Sequence, residues 1–144
     1  FKMDEGVDTG LILGQEKVPI GPTETAHTLY NKVNTAHETL IKKLFIDLQN
    51  DKVEGWLQDE SKATYWEGRK PKDGEISKTM MMEEIDRLVR ATTKPYPGAY
   101  IFDREKKITI WQGFLSFEKI RDQLYYEIEA SNGYYYAENY SVED

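Results

Sequence analysis

The segment ETAHTLYNKVNTAHETLIKKLFIDLQN, residues 24–50, carries the strongest secondary-structure signal in this chain. Its apolar side chains recur with the 3.6-residue period of an α-helix. They are Ala26, Leu29, Tyr30, Val33, Ala36, Leu40, Ile41, Leu44 and Leu48. Thr23 or Thr25 can cap the first turn through its hydroxyl oxygen. The pattern predicts one long amphipathic helix over residues 24–50.

Working back from this helix, residues 11–20 (LILGQEKVPI) predict a strand. Its first half is apolar and is expected to be buried on both faces, and Pro19 must lie near its end or at a sheet edge. Before the strand, Gly6 and Gly10 bracket Val7-Asp8-Thr9, which indicates a tight turn that needs permissive backbone. A strand followed by a long helix is typical of an α/β core.

Working forward, residues 62–94 are expected to form a linker loop followed by a short helix near residues 81–92, ending before Pro95. Residues 95–144 predict a small antiparallel β-rich subdomain with two hairpins. One pairs residues 99–102 with 107–111, and the other pairs 125–129 with 134–137 near Asn132-Gly133. The predicted fold is therefore an α/β unit over residues 1–61, a linker region and an antiparallel β appendage.

The composition limits the function. The chain has 144 residues, is 39% hydrophobic and 31% charged, and has a formal net charge of −7. These values describe a soluble globular protein, and no apolar run is long enough to span a bilayer. The absence of cysteine rules out disulfides and thiolate chemistry and favours a cytoplasmic location. Residues 95–144 carry 5 basic and 9 acidic side chains, so the appendage lacks a nucleic-acid-binding charge.

Several side chains could carry chemistry. Asp4, Glu5 and Asp8 cluster in the first glycine loop, where a carboxylate can orient a histidine or accept a proton, although Asp also simply favours turns. His27 and His37 point to different faces of the predicted helix, so a shared metal is not expected.

A basic set, Arg69, Lys70 and Lys72, lies near Tyr65 and Trp66. These residue types can bind a phosphate group and stack on a base, and a solvated charged loop is the alternative.

Two ordered motifs resemble a known family. Residues 3–15 (MDEGVDTGLILGQ) resemble the Asp-x-Gly segment of the folate-dependent formyltransferases. Residues 65–76 (YWEGRKPKDGEI) and 88–99 (LVRATTKPYPGA) resemble the linker and the Arg-Ala … Pro-x-Pro-Gly-Ala block of methionyl-tRNA and sugar N-formyltransferases. The resemblance implies the C-terminal part of a Rossmann-like catalytic core followed by the linker and the appendage.

The resemblance also implies a site. The family uses N10-formyltetrahydrofolate and an Asn-His-Asp trio, of which only the aspartate maps, onto Asp8. The Asn and His are expected upstream of Phe1, and this chain alone is expected to be inactive. The implied folate-binding residues are Glu5, Gly6, Val7 and Asp8, and the implied substrate-binding residues are Arg69, Lys70 and Tyr96. No metal is implied.

The charge of the protein surface distinguishes between the two acceptor substrates that the resemblance implies, a tRNA and a sugar nucleotide. A tRNA requires a basic surface, whereas the diphosphate of a nucleotide-linked amino sugar needs only one or two cations such as Arg69 or Lys70. The favoured hypothesis is formyl transfer to the amine of a sugar nucleotide, with no tRNA and no membrane partner. A methionyl-tRNA formyltransferase or a truncated, non-catalytic folding or interaction fragment are the alternatives, and a homodimer is a further partner hypothesis.

Overall fold

The computed structural model describes residues 1–122 and 124–143. This part of the chain contains two α-helices and four strands, together with short 3₁₀ turns at Glu60–Lys62 and Pro71–Gly74. The elements are α1 (Ala26–Gln49), α2 (Met82–Thr92), β1 (Ala99–Asp103), β2 (Lys106–Ser116), β3 (Tyr126–Ala130) and β4 (Gly133–Glu143). They divide between two compact units, residues 1–20 with 30–67 and residues 21–29 with 68–144. The predicted mixed fold, with an antiparallel sheet in the second half, is confirmed.

Helix α1 confirms the prediction from its apolar period. It begins after Thr25 because Thr25 and Thr28 cap the first turn reciprocally. The Thr25 hydroxyl accepts from the Thr28 backbone N at 3.2 Å, and the Thr28 hydroxyl accepts from the Thr25 backbone N at 3.0 Å. It ends where Asp51 adopts a left-handed backbone with φ of 52° and the Lys52 N–H donates to the Asp47 carbonyl at 2.8 Å.

The predicted strand over residues 11–20 is wrong as a regular strand. Within the described residues its only sheet-like pairing is an antiparallel bridge between Ile12 and Trp56, with N–O distances of 2.9 and 3.0 Å. Leu11 and Leu13 are half-buried, not buried on both faces as expected. The apolar sequence indicated burial, but a ladder also needs a neighbouring strand, which sequence pattern alone does not supply.

The extended segment instead packs on α1. A Cβ atom placed on Gly14 would lie 2.8 Å from Leu44 Cδ1 and 3.0 Å from Leu40 Cδ1, so the helix approaches the backbone closely there. Beside this contact, the Lys43 ammonium pairs with the Glu16 carboxylate at 2.5 Å. The predicted apolar face of α1 is covered only in part: Ile41 is still 60% exposed. One extended segment is too narrow to cover a whole helix face.

The second unit is built on a four-stranded antiparallel sheet in the order β1-β2-β4-β3. Both predicted hairpins are confirmed, β1 with β2 and β3 with β4. Strands β2 and β4 are longer than predicted because they also pair with each other, from Lys107↔Glu143 to Ser116↔Tyr134. A register shift between Ile110 and Gln112 bends this ladder.

Helix α2 lies against one face of this sheet and closes the core. The buried side chains are Ile76, Met82, Ile85, Val89, Ala99, Ile101, Ile108, Ile110, Ile128, Ala130, Tyr135 and Ala137. The predicted boundaries near residues 61 and 94 remain a prediction, and α2, which was assigned to the linker region, belongs to this core. No helix among residues 1–122 and 124–143 has the length and apolar character needed to cross a membrane.

Candidate functional site

The candidate catalytic residue lies in a closed loop, residues 3–10, called here the Asp8 loop. The Lys2 N–H donates to the Leu11 carbonyl at 2.8 Å and brings the two ends of the loop together. Inside the loop, the Asp4 carboxylate accepts from the Thr9 hydroxyl at 2.7 Å and from the Gly6 N–H at 3.1 Å. These bonds make the loop an ordered turn within its unit.

Asp8 itself has the unusual backbone of the loop. Its φ is 58°, in the left-handed region, where residues other than glycine are uncommon. The sequence placed the permissive backbone at Gly6 and Gly10, and this is corrected: neither glycine has a positive φ. Gly10 is needed for a different reason, since a Cβ atom there would overlap the Lys2 carbonyl oxygen.

A side chain from a distant segment holds the loop. The Gln58 amide nitrogen donates to the Asp8 carbonyl at 2.6 Å and to the Gly10 carbonyl at 2.8 Å. Sequence reasoning missed Gln58 because about 50 residues separate it from Asp8. No local pattern of residue types signals such a long-range contact.

The four implied folate-binding residues stand together on this loop. Glu5, Gly6, Val7 and Asp8 are all exposed, and the Val7 side chain is 88% exposed. The Gly6 N–H and the Asp8 carbonyl are already hydrogen bonded, to Asp4 and to Gln58. The loop can therefore offer an apolar side chain and the two carboxylates of Glu5 and Asp8 to a ligand.

The three implied substrate-binding residues lie in the other unit. Lys70 precedes the Pro71–Gly74 turn, and its backbone N–H donates to the Asp73 carboxylate at 2.7 Å. Gly74, at the end of this turn, abuts the Gly98 carbonyl, where an added Cβ would approach to 2.8 Å. The 3₁₀ turn after Arg69-Lys70 thus reaches the turn that carries Tyr96, which is 50% exposed.

Carboxylates and aromatic rings adjoin this region. The backbone at Glu75 forms a parallel bridge with Tyr100, and the Ile76 N–H donates to the Tyr100 carbonyl at 2.7 Å. Desolvation, with the Glu75 carboxylate adding to it, raises the pKa of Tyr100 above its usual value. The Lys107 ammonium lies 5.1 Å from the Tyr100 ring centroid.

Tyr65 and Trp66 are 89% and 85% exposed, and their proposed stacking role stays a prediction.

Neither histidine joins a metal site. His27 and His37 are both exposed on α1. Across the part of the chain that the structure describes, no group of three or more His, Cys, Asp or Glu side chains is arranged to hold a metal ion.

Comparison with known proteins matches both halves of the chain to related families. A family model described as formyl transferase matches residues 1–44. A second model, formyl transferase C-terminal domain, matches residues 69–123. The first match includes the Asp8 loop, and the second begins at Arg69.

Solved structures share the fold. A methionyl-tRNA formyltransferase from Clostridium thermocellum is 19% identical with a TM-score of 0.69, covering 99% of this chain and 53% of its own. An N-formyltransferase from Helicobacter canadensis, in complex with folinic acid and dTDP-3-aminofucose, is 23% identical with a TM-score of 0.69, covering 96% and 53%. WlaRD, a sugar 3N-formyl transferase in the presence of dTDP and 5-N-formyl-THF, is 22% identical with a TM-score of 0.66, covering 94% and 51%. The chain thus spans about half the length of each.

Proposed function

The chain belongs to the formyltransferase family, with segments of both its catalytic and its C-terminal domain, and on that premise we propose that the full-length protein formylates a nucleotide-linked amino sugar. The formyl donor would be N10-formyltetrahydrofolate. One observation supports the proposal: Asp8, to which the resemblance assigns the aspartate of the Asn-His-Asp trio, is exposed in an ordered loop inside residues 1–44, the segment that the formyl transferase model matches.

Asp8 would act on the acceptor amine. In formyl transfer a bond forms between the amine nitrogen and the formyl carbon, the donor's carbon–nitrogen bond breaks, the amine loses a proton and the released donor nitrogen gains one. A carboxylate at hydrogen-bond distance can help take that proton, and it can also orient a histidine that stabilises the oxyanion. Because the trio needs two further residues, we propose that these 144 residues alone do not catalyse formyl transfer.

The folate donor would lie along residues 5–8. The exposed Gly6, which has no side chain to block a ring, and the exposed Val7 side chain suit one edge and one face of a flat heterocycle. The solved N-formyltransferase with folinic acid and WlaRD with 5-N-formyl-THF support a folate in this fold.

For the acceptor, charge favours a sugar nucleotide. Residues 95–144 carry a net charge of −4, which would repel the phosphates of a tRNA. Arg69 and Lys70 are exposed and can bind a diphosphate. The two sugar-related structures were obtained with dTDP-3-aminofucose and with dTDP, whereas the Clostridium thermocellum structure is a tRNA enzyme, so the acceptor must be tested directly.

The donor is tested first. The full-length protein is incubated with N10-formyltetrahydrofolate and a mixture of amino-sugar nucleotides, and release of tetrahydrofolate is followed by absorbance. Release that requires both the donor and an amine supports the proposal. If the protein releases no tetrahydrofolate with any amine, including charged initiator tRNA, the proposal of formyl transfer is replaced by the alternative of a non-catalytic interaction protein.

We further propose a cytoplasmic location, consistent with the absence of cysteine.

A further inference from the structure

We propose that Gln58 is a positioning residue, which fixes the left-handed backbone of Asp8 and so aims its carboxylate. The structural part of this proposal stands on hydrogen bonds within the first unit. Its catalytic consequence rests on the proposed function, in which Asp8 assists loss of the amine proton.

The two hydrogen bonds that Gln58 donates to the Asp8 loop, called here the Gln58 clamp, use both hydrogens of one amide nitrogen. A glutamine NH₂ has two hydrogens, and here one points to the Asp8 carbonyl at 2.6 Å and the other to the Gly10 carbonyl at 2.8 Å. The two acceptors belong to the Asp8–Thr9 and Gly10–Leu11 peptide groups, so a single side chain restrains the backbone both before and after the Thr9-Gly10 pair. Gly10 is buried and Gln58 is half-buried, so the bond to Gly10 is partly shielded from competing water, whereas the bond to Asp8 is exposed.

The Asp8 loop needs such a clamp. Residues other than glycine are uncommon in the left-handed region, so neighbouring contacts are needed to hold Asp8 there. Within the loop, the Asp4 carboxylate restrains Thr9 and Gly6, but the carbonyl of Asp8 is restrained from outside, by Gln58.

Gln58 is itself held on both sides. Two residues before it, Trp56 pairs with Ile12 through N–O distances of 2.9 and 3.0 Å. Directly after it, Asp59 caps the Glu60–Lys62 turn, and its carboxylate accepts from the Ser61 hydroxyl at 2.6 Å. The base of the clamp is therefore fixed to the same extended segment that leaves the Asp8 loop.

The first test needs no turnover. The carbonyl ¹³C shifts of Asp8 and Gly10 and the HN–Hα coupling of Asp8 are measured by NMR in Gln58→Leu, with Gln58→Asn as a second variant if the first does not fold. Gln49→Leu, at the exposed end of α1, is the matched control. We expect both carbonyl shifts to move in the Gln58 variants and not in the control. Unchanged shifts in a folded Gln58 variant would overturn the clamp.

The second test asks whether the clamp acts through Asp8. In the full-length protein, Gln58→Leu should lower kcat about tenfold with the KM for the acceptor nearly unchanged. In an Asp8→Asn background the same change should cost less than about twofold, because a group that acts through Asp8 has nothing left to position. If the double variant instead loses kcat by the product of the two single-variant factors, Gln58 does not act through Asp8 and is only structural. Near-normal turnover of Asp8→Asn alone would instead refute the catalytic assignment, and the carbonyl shifts would still decide the clamp.

Discussion

Tyr126 on β3 lies close enough to Asp103 at the end of β1 for the Asp103 carboxylate to help raise the Tyr126 pKa, although β1 and β3 are the two opposite edges of the sheet. The sheet is therefore curled, and its two edges approach each other. A cavity of about 240 Å³ lies between them, lined by Lys78, Ile101, Phe102, Asp103, Tyr126, Glu127, Ile128 and Glu129. Because the two edges approach each other, they are partly protected from pairing with another chain.

The interaction between Tyr126 and Asp103 should contribute measurably to the free energy of unfolding. Tyr126→Phe removes the hydroxyl and keeps the ring, so the free energy of unfolding should fall by about 1 kcal/mol in urea denaturation. Burial, followed by the Asp103 carboxylate, raises the pKa of Tyr126 above 10.0. A raised pKa in the folded state gives stability that is complete below the unfolded value and is lost as pH rises through the folded value. The difference between the two proteins should shrink at high alkaline pH, and Asp103→Asn should lower the Tyr126 pKa.

A second prediction concerns the start of α2. Met81, at the N-cap position, has no side-chain oxygen, and Asn132 from the β3–β4 turn supplies one: its Oδ1 accepts from the Met82 N–H at 2.8 Å. Asn132→Ala should cost about 1 kcal/mol of stability, as loss of an N-cap does. Asn132→Asp combined with Glu83→Gln keeps the acceptor without placing two carboxylates together, and it should cost less.

Asn132 also affects the pKa of the neighbouring Glu83 carboxylate. Its amide donates to the Glu83 carboxylate at 2.9 Å and is the main cause that lowers the pKa of Glu83 below 4.5. A lowered pKa means that this stabilisation is present above about pH 4.5 and is lost as pH falls through the folded value. In NMR titration the Glu83 pKa should rise in Asn132→Ala. An unchanged pKa would contradict the assigned cause.

A third prediction addresses catalysis. In the full-length protein, Asp8→Asn should lower kcat by about tenfold or more, the range expected for losing help with proton transfer. The fold should survive, since Asn is nearly isosteric and also tolerates the left-handed region. Asp51→Asn is a control, because Asp51 has a φ of 52° and lies after α1, outside the loop. Normal turnover of the Asp8 variant would disprove the role given to Asp8.

A fourth prediction addresses the acceptor contacts. Replacing Arg69 and Lys70 by Ala should raise the KM for the sugar nucleotide about tenfold, since charge-assisted bonds to a diphosphate are lost, with less effect on the KM for the folate donor. The control is Arg87→Ala with Arg121→Ala, which removes the same charge from exposed positions of the same unit. If both double variants change the KM equally, the effect is one of net charge and not of contact.

The sequence predicted those features that depend on local pattern. The apolar period located α1, and alternation with turn residues located both hairpins. What it missed depends on contacts between distant residues: the pairing of β2 with β4, the Asn132 cap on α2 and the Gln58 bonds to the Asp8 loop. The strand predicted at residues 11–20 failed for the same reason, because a ladder is a property of two segments and the pattern describes one.

The most direct test of the account compares two acceptors in one assay. The full-length protein receives N10-formyltetrahydrofolate with either a panel of dTDP-linked amino sugars or methionyl initiator tRNA, and formylated product is identified by mass spectrometry. The account predicts an N-formylated sugar nucleotide from at least one sugar and no formyl-methionyl-tRNA. Efficient formylation of the tRNA, with none of the sugars formylated, would contradict it.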